Sequence, residues 1–366
     1  MTQEEILNCF QIEGPVLSLL PFGGGHINDT FHAQCKGDDS REYLLQKVNS
    51  YVFRDIVGLM NNIELITSHI RNKQRDRNIS DLERKSLEVI KTNEGNLYME
   101  DHNGHFWRVF NFIKDHKVYD NAPNTDIAFE GARMFGQFLC DLSDLQPDKV
   151  VDTIPKFHNI EFRLDNLGKA IKEDPKGRLN LVKDEVKYVQ SSFEIMNIIH
   201  NLGERGIIPK RIVHNDTKIN NVLFDYQDNG LCVIDLDTNM SGYAHYDFGD
   251  GIRTCANTGD EDDEDLKNVS YDLDMYEAFS AGYIESTYDI LNDKEFESLP
   301  YAALLFPFIM GVRFLTDYIA GDVYYKTKYP EHNIVRARSQ LKLAQDGEAK
   351  LEEMKRIIKS LNGTKK

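Results

Sequence analysis

The sequence predicts an α+β fold in two lobes, a small antiparallel sheet lobe over residues 1–112 followed by a larger, mainly helical lobe over residues 113–366. Three observations lead there. Strand-like runs crowd the first hundred or so residues around a single helix, and helical periodicity takes over after Asn124. At 366 residues the chain also exceeds what one hydrophobic core usually serves, so two lobes sharing a cleft are expected.

The elements follow in order. Val16 to Phe22 and Asp29 to Gln34 read as strands flanking Gly23, Gly24 and Gly25, and Glu42 to Val48 reads as a third strand carrying Lys47. Ile56, Leu59, Met60, Ile63 and Ile66 recur at helical spacing, and Leu87 to Lys91, Leu97 to Glu100 and Phe106 to Phe110 complete the sheet. In the second lobe Val182, Val186, Val189, Phe193, Met196 and Ile199 predict one long amphipathic helix. Further helices are expected over Leu273 to Ile290, Phe296 to Ile319 and His332 to Ile358. The apolar run Tyr301 to Val312 contains Pro307 and is too short to span a bilayer, so it is read as a buried helix.

Composition narrows the partners. With 60 acidic against 43 basic residues, net charge −17 and pI about 5.1, neither nucleic acid nor an anionic membrane surface is expected to bind. Cys9, Cys35, Cys140, Cys232 and Cys255 are scattered without a C-x-x-C pair, as in the reduced interior of a cytoplasmic protein. The opening MTQEEILNCFQIEG lacks the basic and apolar blocks of a signal peptide. The acidic run Asp260 to Asp265 reads as a solvated loop. A monomer or homodimer is expected.

The chemistry is concentrated between Val213 and Asp237, VHNDTKINNVLFDYQDNGLCVIDLD. Phosphoryl transfer depends on positioning and on neutralising charge on the moving phosphate. Asp216 suits the base that takes the acceptor's proton. Asn221, five residues on, and Asp235, across a short hairpin, suit a hard cation such as magnesium, which is usually held by one or two carboxylates plus phosphates. His214 is read as packing the loop. Asp247-Phe248-Gly249 spells a kinase metal motif, but it lies 31 positions beyond Asp216 at a probable helix start. The hairpin favours Asp235, at 19 positions, and leaves Asp247 to cap a helix or brace the loop. Asp237 is open between metal, sugar and water.

His214, Asp216 and Asn221, followed by Val233-Ile234-Asp235-Leu236-Asp237, resemble the His-Gly-Asp-x-x-x-x-Asn and Ile-Asp-x-Asp motifs of the aminoglycoside phosphotransferase and choline kinase superfamily. Asn215 stands where many members have glycine. Within the superfamily, LLQKVNSYVFRDIVGLMNNI (44–63), HNDTKINNVLFD (214–225), YDFGDGIRT (246–254) and RFLTDYIAGDVYY (313–325) are most similar to the N-acetylhexosamine 1-kinases. The resemblance runs from about Phe22 to Tyr325. It implies the two-lobed protein-kinase-like fold, ATP and Mg2+ as cofactors, and a sugar acceptor, N-acetylglucosamine or N-acetylgalactosamine, phosphorylated at the anomeric hydroxyl.

Under that reading Gly23, Gly24 and Gly25 cover the ATP phosphates, their backbones able to approach closely for want of a Cβ. Lys47 is expected to pair with the α/β-phosphates and to be steadied by Glu64 from the following helix. The superfamily binds its acceptor in the C-terminal helical region. There Arg313 and Asp317 can hydrogen-bond sugar hydroxyls and Tyr324 can lie against a pyranose face, with Asp237 a further candidate.

Overall fold

The structure, a computed structural model, describes residues 1–23, 27–37 and 41–363. It is the protein-kinase-like fold, with a small antiparallel sheet lobe and a mainly helical one. The chain forms two compact units, each assembled from separate segments. The first contains Met1–Val118, Asp141–Pro155 and Asn221–Ser241, and the second contains Tyr119–Cys140, Lys156–Asn220 and Gly242–Lys366.

The first unit opens with α1 (Gln3–Leu7), followed by strands β1 (Val16–Pro21), β2 (Asp29–Cys35) and β3 (Glu42–Val48), helices α2 (Ile56–Asp76) and α3 (Leu82–Lys85), and strands β4 (Val89–Ile90), β5 (Met99–Glu100) and β6 (Phe106–Asn111). The sheet runs β1-β2-β3-β6-β4, every pair antiparallel, with β5 on β6. Because successive side chains in a strand alternate between faces, the sheet has two distinct sides. One carries Ala33, Cys35, Tyr43, Leu45, Trp107 and Val109, which form a core with Ile6, Leu7 and Phe10. The other carries Thr30, Gln46 and Arg108, and here Arg108 Nη1 comes within 4.0 Å of Met60 Sδ on α2. An Asp55 side chain caps α2, accepting the Gly58 N–H at 2.8 Å.

The second unit holds α4 (Thr125–Asp141, its last residue in the first unit), α5 (Ile160–Glu173), α6 (Lys183–Ser191), α7 (Phe193–Met196), α8 (Ile198–Glu204), strand β7 (Arg211–Val213), α9 (Ala244–Cys255), α10 (Leu273–Thr287), α11 (Asp293–Ala320) and α12 (His332–Gly363). The single helix expected from Val182 to Ile199 is three pieces, α6 to α8. The breaks fall at Ser192 and Asn197, each with ψ near zero, and the Ser192 hydroxyl turns to Glu348 at 3.3 Å. Short polar side chains compete with helical backbone bonding, whereas the apolar spacing continues across the breaks and so conceals them.

Helix α11 organises this unit, packing on α5, α9 and α12. A reciprocal Asn292–Glu295 capping box starts it, and Gly321, at φ +102°, ends it. It contains Pro300 and Pro307, and it includes the apolar run read as a buried helix. By length and composition α11 could cross a bilayer, but most of it is buried within the protein. Its approach to α9 needs a residue without a side chain: a Cβ on Gly249 would lie 2.7 Å from the Ala302 carbonyl oxygen.

Candidate functional site

In the second unit the loop after β7 is held from beneath by α9. Asp247, fully buried, accepts the backbone N–H of His214 at 3.0 Å and of Asn215 at 2.8 Å, while its carbonyl accepts the Thr217 hydroxyl at 2.6 Å. One turn on, Asp250 accepts the Thr217 N–H at 3.1 Å and is paired with Arg253 at 2.8 Å. The Asp-Phe-Gly string is therefore a brace for the loop. Burial pushes the Asp247 carboxyl up to about 7, opposed by its two amide donors.

His214 is fully buried between the edges of Phe135 and Phe138, with centroids 5.5 and 5.6 Å away, and its Nδ1 accepts the Asp216 N–H at 3.3 Å. Asn215 has φ +66°. That left-handed conformation suits glycine or asparagine and costs most other residues about 1–2 kcal/mol, which explains asparagine at a position where glycine is common. Asp216, the expected base, is partly exposed, and Lys218 Nζ lies 3.2 Å from its Oδ1. Sequence reading overlooked Lys218. The available signal was a cation two residues beyond the candidate base, on the same loop.

In the first unit, strands β8 (Val222–Phe224) and β9 (Gly230–Val233) form the expected hairpin. Its turn is folded by Asp225, which accepts N–H groups of Gln227 and Asn229 at 2.8 and 2.9 Å. Val222 pairs with Val233, and the Ile234 N–H donates to the Asn221 carbonyl at 2.9 Å. Asn221 and Asp235 therefore share the open end of one hairpin. An amide and a carboxylate are hard oxygen donors that fit magnesium when phosphates supply the remaining ligands. Among the described residues no group of three or more His, Cys, Asp or Glu could hold a metal alone. Asp235 is left-handed at φ +60°, a strained state for a non-glycine residue that persists only when its surroundings enforce it.

Three expectations need correction. Lys47 and Glu64 do not pair: Lys47 binds Asp29 at 3.0 Å and Glu64 binds Lys91 at 3.1 Å. The reason is strand parity. Lys47 stands opposite Trp107, on the α1 face of the sheet, whereas Gln46 and Arg108 occupy the α2 face. Asp237 is not available to metal or sugar, because its carboxylate is 4 % exposed and clamped by Arg108 at 2.6 and 2.9 Å and by Asn28 at 2.8 Å. Asp317 is likewise engaged. Its oxygens accept the N–H groups of Val323, Tyr324 and Tyr325 at 2.8–2.9 Å and an Asn333 amide at 2.9 Å, so it shapes the turn after α11.

Gly23 has φ +73°, and among the described residues no atom lies within 4 Å of where a Cβ would stand, while Gly24 and Gly25 lie outside the described residues. On the α2 face of the sheet Phe22, His32 and Phe112 form an aromatic group with centroids 4.1–5.6 Å apart. No side-chain pattern in the sequence pointed to it.

Arg313 and Tyr324 belong to a cluster in the second unit. The Arg313 guanidinium stands 5.4 Å from the Phe157 ring and 5.5 Å from that of Tyr325, against which the 64 % exposed Tyr324 packs edge-on. Arg163 donates through Nε and Nη2 to the Phe157 carbonyl at 3.2 and 2.5 Å. Burial and then the charge of Arg313 pull Arg163 down to about 10. Among the described residues neither arginine forms an ion pair, and the buried Tyr325 hydroxyl has no partner. His158, next to Phe157, bonds the Asn215 carbonyl at 3.0 Å, one residue from Asp216. The acidic run is less solvated than expected: Glu261 pairs with Arg253 and Arg336 at 3.0 and 3.1 Å, and Asp262 with Lys328 and His332 at 3.1 and 3.0 Å.

The family model of phosphotransferase enzymes (APH) matches residues 18–279. Similar solved structures include an aminoglycoside phosphotransferase from Alicyclobacillus acidocaldarius, at 12 % identity over 98 % of this chain and 97 % of that one, with TM-score 0.63. Spectinomycin phosphotransferase in complex with ADP and spectinomycin matches at 14 % identity over 94 % and 97 %, with TM-score 0.55. A choline kinase from Cryptosporidium parvum matches at 14 % identity over 94 % and 92 %, with TM-score 0.54. At these identities the likeness is one of fold.

Proposed function

Because the chain belongs to the phosphotransferase enzyme family, we propose that it is an ATP-dependent small-molecule kinase that phosphorylates the anomeric hydroxyl of an N-acetylhexosamine, giving the sugar 1-phosphate and ADP. Asp216 accepts the proton of the 1-hydroxyl as its oxygen forms a bond to the γ-phosphorus and the bond to the ADP oxygen breaks. Lys218, within 3.2 Å of that carboxylate, supplies positive charge beside the reacting oxygens. Asn221 and Asp235 are the donors that would hold magnesium, which when bound draws charge from the ATP phosphates. The turn at Gly23 and the aromatic group of Phe22, His32 and Phe112 are assigned to the nucleotide, in place of Lys47 and Glu64.

The observation that carries the acceptor class is the pair of arginines that have no carboxylate partner among the described residues, Arg163 and Arg313, grouped around Phe157 beside His158 and the loop of Asp216. Choline is a cation, as are aminoglycosides at neutral pH, and a site for either calls for carboxylates rather than guanidinium groups. Two guanidiniums, a tyrosine hydroxyl and aromatic rings suit a neutral, hydroxyl-rich sugar, with Tyr324 free to lie along its face. The acidic run does not favour a cationic acceptor, because Glu261 and Asp262 are already bound to Arg253, Arg336, Lys328 and His332. ADP release measured with N-acetylglucosamine, N-acetylgalactosamine, galactose, choline and kanamycin tests the assignment. Turnover with an N-acetylhexosamine at least tenfold above the others is expected, and a preference for choline or kanamycin refutes it.

A further inference from the structure

Asp237 lies two residues beyond the proposed metal ligand Asp235, and the hydrogen-bond pattern around it is unusually complete. Its two carboxylate oxygens receive the two ends of the Arg108 guanidinium at 2.6 and 2.9 Å, with the side chains 4 % and 3 % exposed. Asn28, the residue before β2, adds a third donor at 2.8 Å, and the Asp237 carbonyl accepts the Thr153 hydroxyl at 3.0 Å. Arg108 is itself fixed: its Nε donates to Gln46 Oε1 at 3.0 Å, Gln46 donates to the Thr30 hydroxyl at 3.0 Å, and the guanidinium stands 5.0 Å from the Phe110 ring. Asn28 is held in turn, its Oδ1 accepting the Asn49 N–H at 2.9 Å while Asn49 Nδ2 donates to the Ile27 carbonyl at 3.2 Å.

A buried ion pair is a poor source of net stability, since an apolar pair of similar volume often serves as well. A fork-to-fork pair offers geometric specificity instead, and this one sits where geometry is in demand. Asp235 occupies the left-handed region at φ +60° and begins the short turn Leu236–Thr238 that contains Asp237. We propose that the Arg108–Asp237 pair is a positioning device that fixes the backbone of Asp235 for metal binding and, through Asn28, ties that turn to the start of β2. The pair rests on the reading of Asp235 as a metal ligand. It acts through Asp235 and touches neither metal nor substrate.

The test reads metal binding directly, as Mn2+ affinity in the presence of ADP by electron paramagnetic resonance, together with thermal melting. The double variant Arg108→Met/Asp237→Leu removes both charges and keeps apolar bulk. It is expected to melt close to wild type and to bind Mn2+ at least tenfold more weakly, whereas melting and affinity both like wild type overturn the proposal. Should the double variant not fold, Asn28→Ala decides, since it removes one side chain at the rim of the network. A threefold or greater loss of Mn2+ affinity is expected there, and a change within twofold overturns the coupling. Asp235→Ala separates the two readings: unchanged Mn2+ binding in that variant overturns the metal assignment itself, and the positioning role with it.

Discussion

Two buried aspartates, one in each unit, are held by different means. In the second unit Asp247 has, among the described residues, no cationic side chain on its carboxylate and is satisfied by backbone N–H groups of His214 and Asn215, with the like charge of Asp250 nearby. In the first unit Asp237 is neutralised by the Arg108 fork. Amide donors leave much of the desolvation cost of a buried carboxylate in place, which is why Asp247 is pushed up to about 7. A guanidinium cancels the charge but requires a second strand to deliver it. The loop carrying Asp216 is thus secured by short-range backbone bonding, and the turn carrying Asp235 by a long-range ion pair, and the two arrangements should fail differently.

The largest expected effect lies on the loop itself. Asp216→Asn should lower kcat by about 10²–10⁴-fold while KM for ATP changes little, because a base acts in the transition state. Steady-state kinetics check this, and turnover within a few-fold of wild type would remove Asp216 from the role. Next is the brace. Asp247→Ala strands two buried amides, at about 1–3 kcal/mol each, so a lower melting temperature should accompany a tenfold or greater fall in kcat. An unchanged melting curve would show the brace to be idle.

The comparison sharpens with pH. Unperturbed, an aspartate titrates near 3.8, and in the folded protein Asp247 does so at about 7. The native state therefore holds this proton more tightly than the unfolded chain does. The stability contributed is full below about pH 4 and lost as pH rises through about 7. Denaturant melts should show wild type losing stability relative to Asp247→Asn between about pH 4 and 7, with a constant difference above that range. A difference that does not vary with pH contradicts the account. The smallest effect is expected at Tyr324, whose ring is exposed and packs edge-on against Tyr325. Tyr324→Ala should raise KM for the sugar several-fold and leave KM for ATP unchanged, and the reverse pattern would take it out of the acceptor site.

Much of this was legible in the sequence wherever local chemistry decides. The hairpin was marked by its Gln227-Asp228-Asn229-Gly230 turn, β1 and β2 were found within a residue because glycines flank them, and β3 was found at Glu42–Val48. The chain offset of Asp247 argued against a metal role but left helix cap and loop brace both open, and the bonds to His214 and Asn215 show the brace. What failed was facing. In β3 both sides carry apolar residues, Tyr43 and Leu45 against Leu44 and Val48, so alternation could not tell which side held Lys47. Glu64 inherited that error. Arg108 could not be linked to Asp237 because 129 positions separate them and no local pattern spans that distance. Asp317 looked like a sugar ligand because a carboxylate beside tyrosines reads the same whether it binds hydroxyls or the backbone of its own turn.

The claim at the centre of the account is that phosphate is transferred to an anomeric hydroxyl. Phosphorus NMR of the product formed from ATP and N-acetylglucosamine tests it most directly: a phosphomonoester resonance coupled to the anomeric proton is predicted, and one coupled to any other sugar proton, or no new phosphomonoester at all, would contradict it.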